Sequence, residues 1–316
     1  MQNYILRRLL QAIPLLLGIS VITFGIIQIM PGGVMGAYGP QTGSGADLAI
    51  IQEQLGLNRP VYEQYLSWLG RFLTGDWGRT LLSQQVVSDL IFTALPATLL
   101  LIGCSLLIGL GLGLLFGVIS AVKQYSAIDM LVTTFSFVGL STPVFFSGLI
   151  LILIFSVKLG WLPGGGMYTP EAPYSFEDRL RYLILPVVAI AFPLAGEYTR
   201  YVRSSLLEVL NQDYIRTGYA KGLHPRSVLF RHALSNALIP LITILGLQLP
   251  WMISGFVVAE SIFSWPGMGR LLWESARQHD YPLMMAITML VAVAVLAFNL
   301  LADIFYGLVD PRISYA

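Results

Sequence analysis

Residues 94–122 read ALPATLLLIGCSLLIGLGLGLLFGVISAV, a run of 29 residues without one charged side chain. A helix needs about 20 consecutive apolar residues to cross the hydrocarbon core of a bilayer, so this stretch spans a membrane with residues to spare. Within it Gly109, Gly113 and Gly117 recur at every fourth position, a smooth helical face that lets a neighbouring helix come close. The whole chain follows the same pattern: 316 residues are 56% hydrophobic and 11% charged, where a globular protein carries roughly 25% charge. Reading outward gives six apolar stretches: Leu9 to Met30, Ala94 to Val122, Met130 to Val157, Leu183 to Ala195, Ala237 to Ala259 and Leu283 to Leu308. The fold expected is therefore all-α and polytopic, with six transmembrane helices. The fourth stretch is short and holds Pro186 and Pro193, so it must borrow flanking residues or run kinked.

The first stretch follows Arg7 and Arg8 and leaves through Met30, Pro31, Gly32 and Gly33. It is too long for a signal peptide and lacks a small-residue cleavage site, so it reads as an uncleaved first span. Six crossings put both termini on one side. Of the 18 Lys and Arg, ten fall on that side: Arg7, Arg8, Lys123, Arg200, Arg203, Arg216, Lys221, Arg226, Arg231 and Arg312. Acidic residues favour the other side, eleven to six. The positive-inside rule then places both termini in the cytoplasm.

Three regions follow: residues 1–30 with the first span, an extracytoplasmic region over 31–93, and a core over 94–316 that contains a cytoplasmic segment at 197–236. In the extracytoplasmic region Ile50 to Leu55 reads as a short helix stopped by Gly56. Pro60 opens another, with Val61, Tyr65, Trp68, Leu69 and Phe72 on one face. Such a stripe packs on its own protein or meets a partner. In the cytoplasmic segment Asp213 reads as an N-cap, Tyr214 to Lys221 as a two-turn helix, and Gly222 as the residue past its end; a second helix restarts with Pro225 at its first position. A rigid short helix tied at both ends to spans suits the transfer of movement from a soluble motor into the membrane.

The run Asp213-Tyr214-Ile215-Arg216-Thr217, then Ala220-Lys221-Gly222-Leu223, followed by Leu229 to Pro240, resembles the coupling segment of dipeptide and oligopeptide ABC importer permeases. Leu55 to Pro60, Gln64-Tyr65, Trp68-Leu69 and Gly75-Asp76-Trp77-Gly78 resemble the family's extended extracytoplasmic region. Pro266 to Gly269, Asp280-Tyr281-Pro282, Asn299-Leu300, Asp303 and Asp310-Pro311-Arg312 resemble its C-terminal pattern. The chain departs from the general importer signature where Arg216-Thr217-Gly218 precedes Tyr219-Ala220-Lys221-Gly222, and where Leu234-Ser235 stands in place of Leu-Pro. Pro31-Gly32-Gly33 likewise replaces Pro-Gly-Asp. The resemblance implies a permease subunit of a bacterial or archaeal cytoplasmic-membrane importer, working by alternating access. It implies as partners a second homologous permease, two ATP-binding subunits and an extracytoplasmic substrate-binding protein. It also implies that Asp213, Tyr214, Arg216, Thr217, Ala220, Lys221, Gly222 and Leu223 couple to the ATPase. Cargo would be di- or oligopeptides, or within the same family nickel, glutathione or oligosaccharides.

The resemblance further implies no cofactor in this chain, with ATP and Mg²⁺ held by the partner ATPases, and the sequence agrees. A P-loop needs Gly-Lys to bring a lysine to the phosphates, and Lys123 and Lys158 follow valine while Lys221 follows alanine. A net charge of +1 without a basic stripe argues against nucleic acid. His224 and His232 lack a cysteine or carboxylate at ligand spacing, so no metal site is expected, and the single Cys104 allows no intrachain disulfide. No Ser/His/Asp set falls on one span, so no catalytic residue is expected. Asn299 and Asp303, four apart near the inner end of the sixth stretch, form a polar intramembrane site. Asp303 there either caps and pairs locally or serves transport. An ion-coupled secondary transporter, the alternative class, would need buried ionisable pairs or inverted repeats, and the sequence offers one such carboxylate and no obvious repeat.

Overall fold

The computed structural model describes residues 2–29, 58–171 and 175–309. The helix expected over 50–55, the turns at Pro31-Gly32-Gly33 and Leu55-Gly56-Leu57, and Asp310-Pro311-Arg312 lie outside the described residues. Within the described residues the chain is helical: α1 (Gln2–Ile29), α2 (Val61–Leu73), α3 (Val87–Val122), α4 (Ala127–Ser141), and α5 (Val144–Leu151), which runs on as π-helical turns (Ile152–Lys158). There follow α6 (Phe176–Leu210), α7 (Asp213–Ala220), α8 (Pro225–Ser227), a π-helical stretch (Val228–Ala233), α9 (Leu234–Ala237), α10 (Ile239–Ile262), α11 (Met268–Arg277) and α12 (Tyr281–Val309). Among the described residues, four segments are long and apolar enough to cross a membrane: Ile5–Ile29, Val87–Val122, Phe176–Leu210 and Tyr281–Ile304. The pair α4 and α5 makes a fifth if its bend is counted as one crossing.

That bend corrects the uninterrupted span expected over Met130 to Val157. The two helices meet at 103°. Thr142 (φ −92°, ψ 116°) and Pro143 (φ −61°, ψ 139°) are both extended. Proline has no N–H to donate, and its ring drives the preceding residue out of the helical region. Thr142 Oγ1 compensates by donating to the Val138 carbonyl at 2.7 Å. The expected fourth span has instead borrowed on both sides, lying inside a helix of 35 residues, roughly 50 Å long. Pro193 leaves the Ala189 carbonyl without its helical donor, and Ser147 Oγ from α5 approaches that oxygen at 3.5 Å.

The described residues fall into two units, those of Met1–Thr98 with Pro266–Leu300, and those of Leu99–Trp265 with Leu301–Ser314. In the first unit the α2 stripe packs on its own chain. Phe24 of α1 meets Tyr65 edge-on with centroids 5.5 Å apart, and Trp68, Phe72 and Trp77 continue the stack at 5.5 and 5.8 Å. Ser20 and Tyr65 share a hydrogen bond of 2.8 Å, while Val61 stays exposed. The loop before α3 is held by Asp280, whose buried carboxylate accepts from the Leu81 amide at 3.0 Å and caps α12 at the Leu283 amide. Beneath it Val87, Ile91, Met268, Leu283 and Ile287 form a core.

In the second unit the glycine stripe of α3 does what its spacing predicts. A Cβ added at Gly109 would lie 2.9 Å from Leu194 Cβ, at Gly113 2.4 Å from Tyr198 Cβ, and at Gly117 2.6 Å from Val202 Cβ. Helices α3 and α6 thus touch backbone to backbone along two turns. Leu106, Leu110 and Leu114 flank the seam, with Tyr198, Val202 and Leu241 buried in it. On another side of α6, an added Cβ at Gly196 would come within 2.6 Å of the Ser136 carbonyl of α4.

Candidate coupling site

The site is built from the end of α6. That helix stops at Leu210, Asn211 and Gln212 turn the chain, and α7 restarts at once. Gln212 occupies the N-cap position without a side-chain bond. Asp213, expected as the cap, is the first helical residue instead. Its carboxylate lies 3.5 Å from Arg216, both side chains being largely in solvent, and negative charge in a first turn still opposes the helix dipole favourably. Thr217 Oγ1 donates to the Asp213 carbonyl at 2.9 Å.

The far end of α7 is closed as the sequence predicts. Gly222 adopts φ +76°. Its amide donates to the Tyr219 carbonyl at 2.9 Å, and the Leu223 amide reaches back to the Gly218 carbonyl at 3.3 Å. These two bonds are the Schellman closure. His224 Nδ1 then accepts from the Arg226 amide at 3.3 Å, and Pro225 begins α8 in the first-turn position.

One side chain fastens α7 to the rest of its unit. Ile215 is 1% exposed and packs with Ala121, Leu206, Val228, Ala233 and Ala237. Tyr214, Arg216, Thr217, Ala220, Lys221, Gly222 and Leu223 all remain exposed. With Tyr219 and Phe230, also exposed, they present aromatic and aliphatic surface beside hydroxyls and charges, a composition suited to meeting another protein. Among the described residues this surface offers no nucleophile and base pair and no group of metal-ligating side chains.

Beside this anchor lies a pair that sequence reasoning missed. Asp129, in the first turn of α4 and 4% exposed, holds Arg203 of α6 with both oxygens, to Nε and to Nη2, each at 2.8 Å. The same carboxylate accepts from Ser120 Oγ at the end of α3 and from the Tyr125 amide at 3.0 Å. Such a planar, two-pronged pair fixes orientation as well as energy. Three helices are therefore pinned at one point. A carboxylate at the start of an apolar stretch was the available signal; its partner 74 residues away was not readable. On α12, Asn299 is exposed and Asp303 half-buried.

Comparison with known proteins gives a consistent result. Residues 113–315 match the family described as binding-protein-dependent transport system inner membrane component, and residues 1–102 match the model of that system's N-terminal membrane region. The oligopeptide transport system permease protein AppB of Bacillus subtilis is 48% identical over 316 residues, all of both chains. The di/tripeptide transport system permease protein DppB of Pseudomonas aeruginosa is 41% identical over 334 residues, covering 100% of this chain and 99% of that one. Among solved structures, the MetNI methionine ABC transporter superposes with a TM-score of 0.57 at 18% identity, over 70% of this chain and 96% of that one; that likeness is one of fold.

Proposed function

This chain belongs to the binding-protein-dependent transport system inner membrane components, and from that membership we propose that it is the permease subunit of an ATP-binding-cassette importer for di- or oligopeptides. The single observation that carries the mechanism is α7: a capped helix of eight residues, exposed on all but one side chain, attached directly to a long membrane-spanning helix. In this reading α7 seats in a soluble ATPase subunit. Closure of two such subunits on ATP and Mg²⁺ shifts α7, and α6 carries the shift into the membrane, where the substrate path opens alternately to each side. The permease performs no covalent chemistry.

The membrane is crossed six times, by α1, α3, the bent pair α4 and α5, α6, α10 and α12. Both termini are cytoplasmic, residues 31–93 face outward, and the core runs over 94–316. Asp213, Tyr214, Arg216, Thr217, Ala220, Lys221, Gly222 and Leu223 form the ATPase contact. Asn299 and Asp303 form a polar site on α12, there to anchor its cytoplasmic end. A second, homologous permease completes the pathway, and a binding protein delivers peptide from outside. The peptide assignment follows the names of the relatives.

Affinity purification of this subunit from its native membrane in mild detergent tests the reading. Recovery of a second permease and ATPase subunits, with ATP-driven uptake of short peptides after reconstitution with the cognate binding protein, is the expected result. Recovery of this chain without any ATPase in several detergents overturns it.

A further inference from the structure

Between α4 and α6, just beyond the tight contact of Gly196 with Ser136, lies a cavity of about 240 Å³. Its polar wall is made by Thr133, Ser136, Thr199, Arg200, Arg203 and Ser204. Hydroxyls inside membrane helices ordinarily satisfy themselves on a carbonyl one turn back, and Ser136 does so, donating to the Val132 oxygen at 2.9 Å. Thr199 does not: it is 1% exposed and its Oγ1 has no hydrogen-bond partner. A buried hydroxyl without a partner is costly unless something fills the need.

The charges around the cavity say what that is. Arg203 spends Nε and Nη2 on Asp129, so this carboxylate and guanidinium balance each other and Arg203 is held in place against the cavity. Arg200, an exposed residue, is stacked over the Tyr201 ring at 5.4 Å and, among the described residues, pairs with no carboxylate. Glu197, one turn earlier on α6, is not part of the wall. The cavity therefore has an apolar side made by Phe137 and Leu140, and a polar side with the Arg200 charge, the unpartnered Thr199 hydroxyl and no acidic residue. We propose that it is a binding site for an oxyanion, the carboxylate of a transported solute or the phosphate of a lipid headgroup, with Arg200 supplying charge and Thr199 a hydrogen bond. Arg203 is a positioning residue, set by Asp129. Only the solute alternative rests on the transport reading above.

The test uses the assembled transporter in vesicles, with S204C as reporter and the labelling of the parent protein's single Cys104 subtracted. Maleimide labelling of S204C is timed in pure phosphatidylcholine vesicles with millimolar trialanine, with trialanine C-terminal amide, and without peptide, then again in vesicles containing phosphatidylglycerol. Slowing severalfold by trialanine but not by its amide identifies a solute carboxylate. Slowing by phosphatidylglycerol regardless of peptide identifies lipid phosphate. Either effect must vanish in Arg200→Gln and weaken in Thr199→Val. No slowing under any condition, or slowing that survives Arg200→Gln, overturns the site. ATP-driven uptake is measured on the same vesicles, and normal uptake without protection leaves the transport reading standing.

Discussion

At the scale of the residue, Gly222 is the position where backbone geometry leaves least choice. No atom lies within 4 Å of a Cβ added there, so space is no obstacle; the obstacle is φ +76°, which costs an L-residue about 1–2 kcal/mol and a β-branched one more. Gly222→Val should open the Schellman closure and release Leu223. Peptide uptake should fall at least severalfold while the complex still assembles and hydrolyses ATP. Gly218→Ala is the control: its Cβ would meet only ordinary contacts at 3.7 and 3.8 Å, and uptake should be preserved. Asp280 offers a pH test. Burial raises its carboxyl above the ordinary carboxylate range, against the lowering effect of the Leu81 and Leu283 amides. A raised folded value means that the unfolded chain gives up this proton first. The carboxyl's contribution to stability is full below its unfolded pKa near 4 and is lost as pH rises through the raised folded value. As pH rises above about 4, thermal unfolding of the wild-type complex should shift downward more steeply than that of Asp280→Asn. Parallel slopes would exclude a perturbed Asp280.

At the scale of the element, the seam between α3 and α6 separates glycines that matter from those that do not. Gly113→Leu drives its Cβ into Tyr198 and should abolish accumulation of the subunit in the membrane. Gly111→Ala, on the same helix with nothing within 4 Å, should accumulate normally, since alanine favours a helix over glycine by about 1 kcal/mol. Quantitative blotting of membrane fractions reads both. This seam was legible in the sequence because a four-residue repeat of small side chains maps onto one helical face. The closure of α7 was legible because Gly222 and Pro225 each answer to a specific backbone conformation. The break at Thr142-Pro143 was not, since apolar side chains continue across it and hydropathy carries no record of dihedral angle. The Asp129–Arg203 pair was hidden for another reason: lysine and arginine near span ends satisfy a topology rule on their own, and nothing local names a partner 74 residues away.

At the scale of the whole molecule, the proposed crossings assign every loop to a side. Tyr214→Cys and Ser126→Cys should react with an impermeant maleimide only from the cytoplasmic face, and Thr74→Cys only from the outer face, in right-side-out and inverted vesicles. Labelling of Thr74→Cys from within would reverse the orientation. The membrane assignment itself rests on composition as much as on geometry: Leu10, Ile13, Val21, Ile22 and Ile26 of α1 are all more than half exposed, which only lipid or a partner subunit can accommodate. One consequence of the joint between α6 and α7 concerns chain length. Helix α6 is locked in rotation by its glycine contacts with α3 and α4, and only Asn211 and Gln212 separate it from α7. One residue added to α6 between Val202 and Leu210 would advance everything after it by about 1.5 Å and swing it by about 100°, pulling Ile215 off its anchor and turning the exposed face aside. The molecule can therefore vary the lettering of its outward surface while the number of residues behind it stays fixed, much as a gear keeps its tooth count whatever alloy it is cast in.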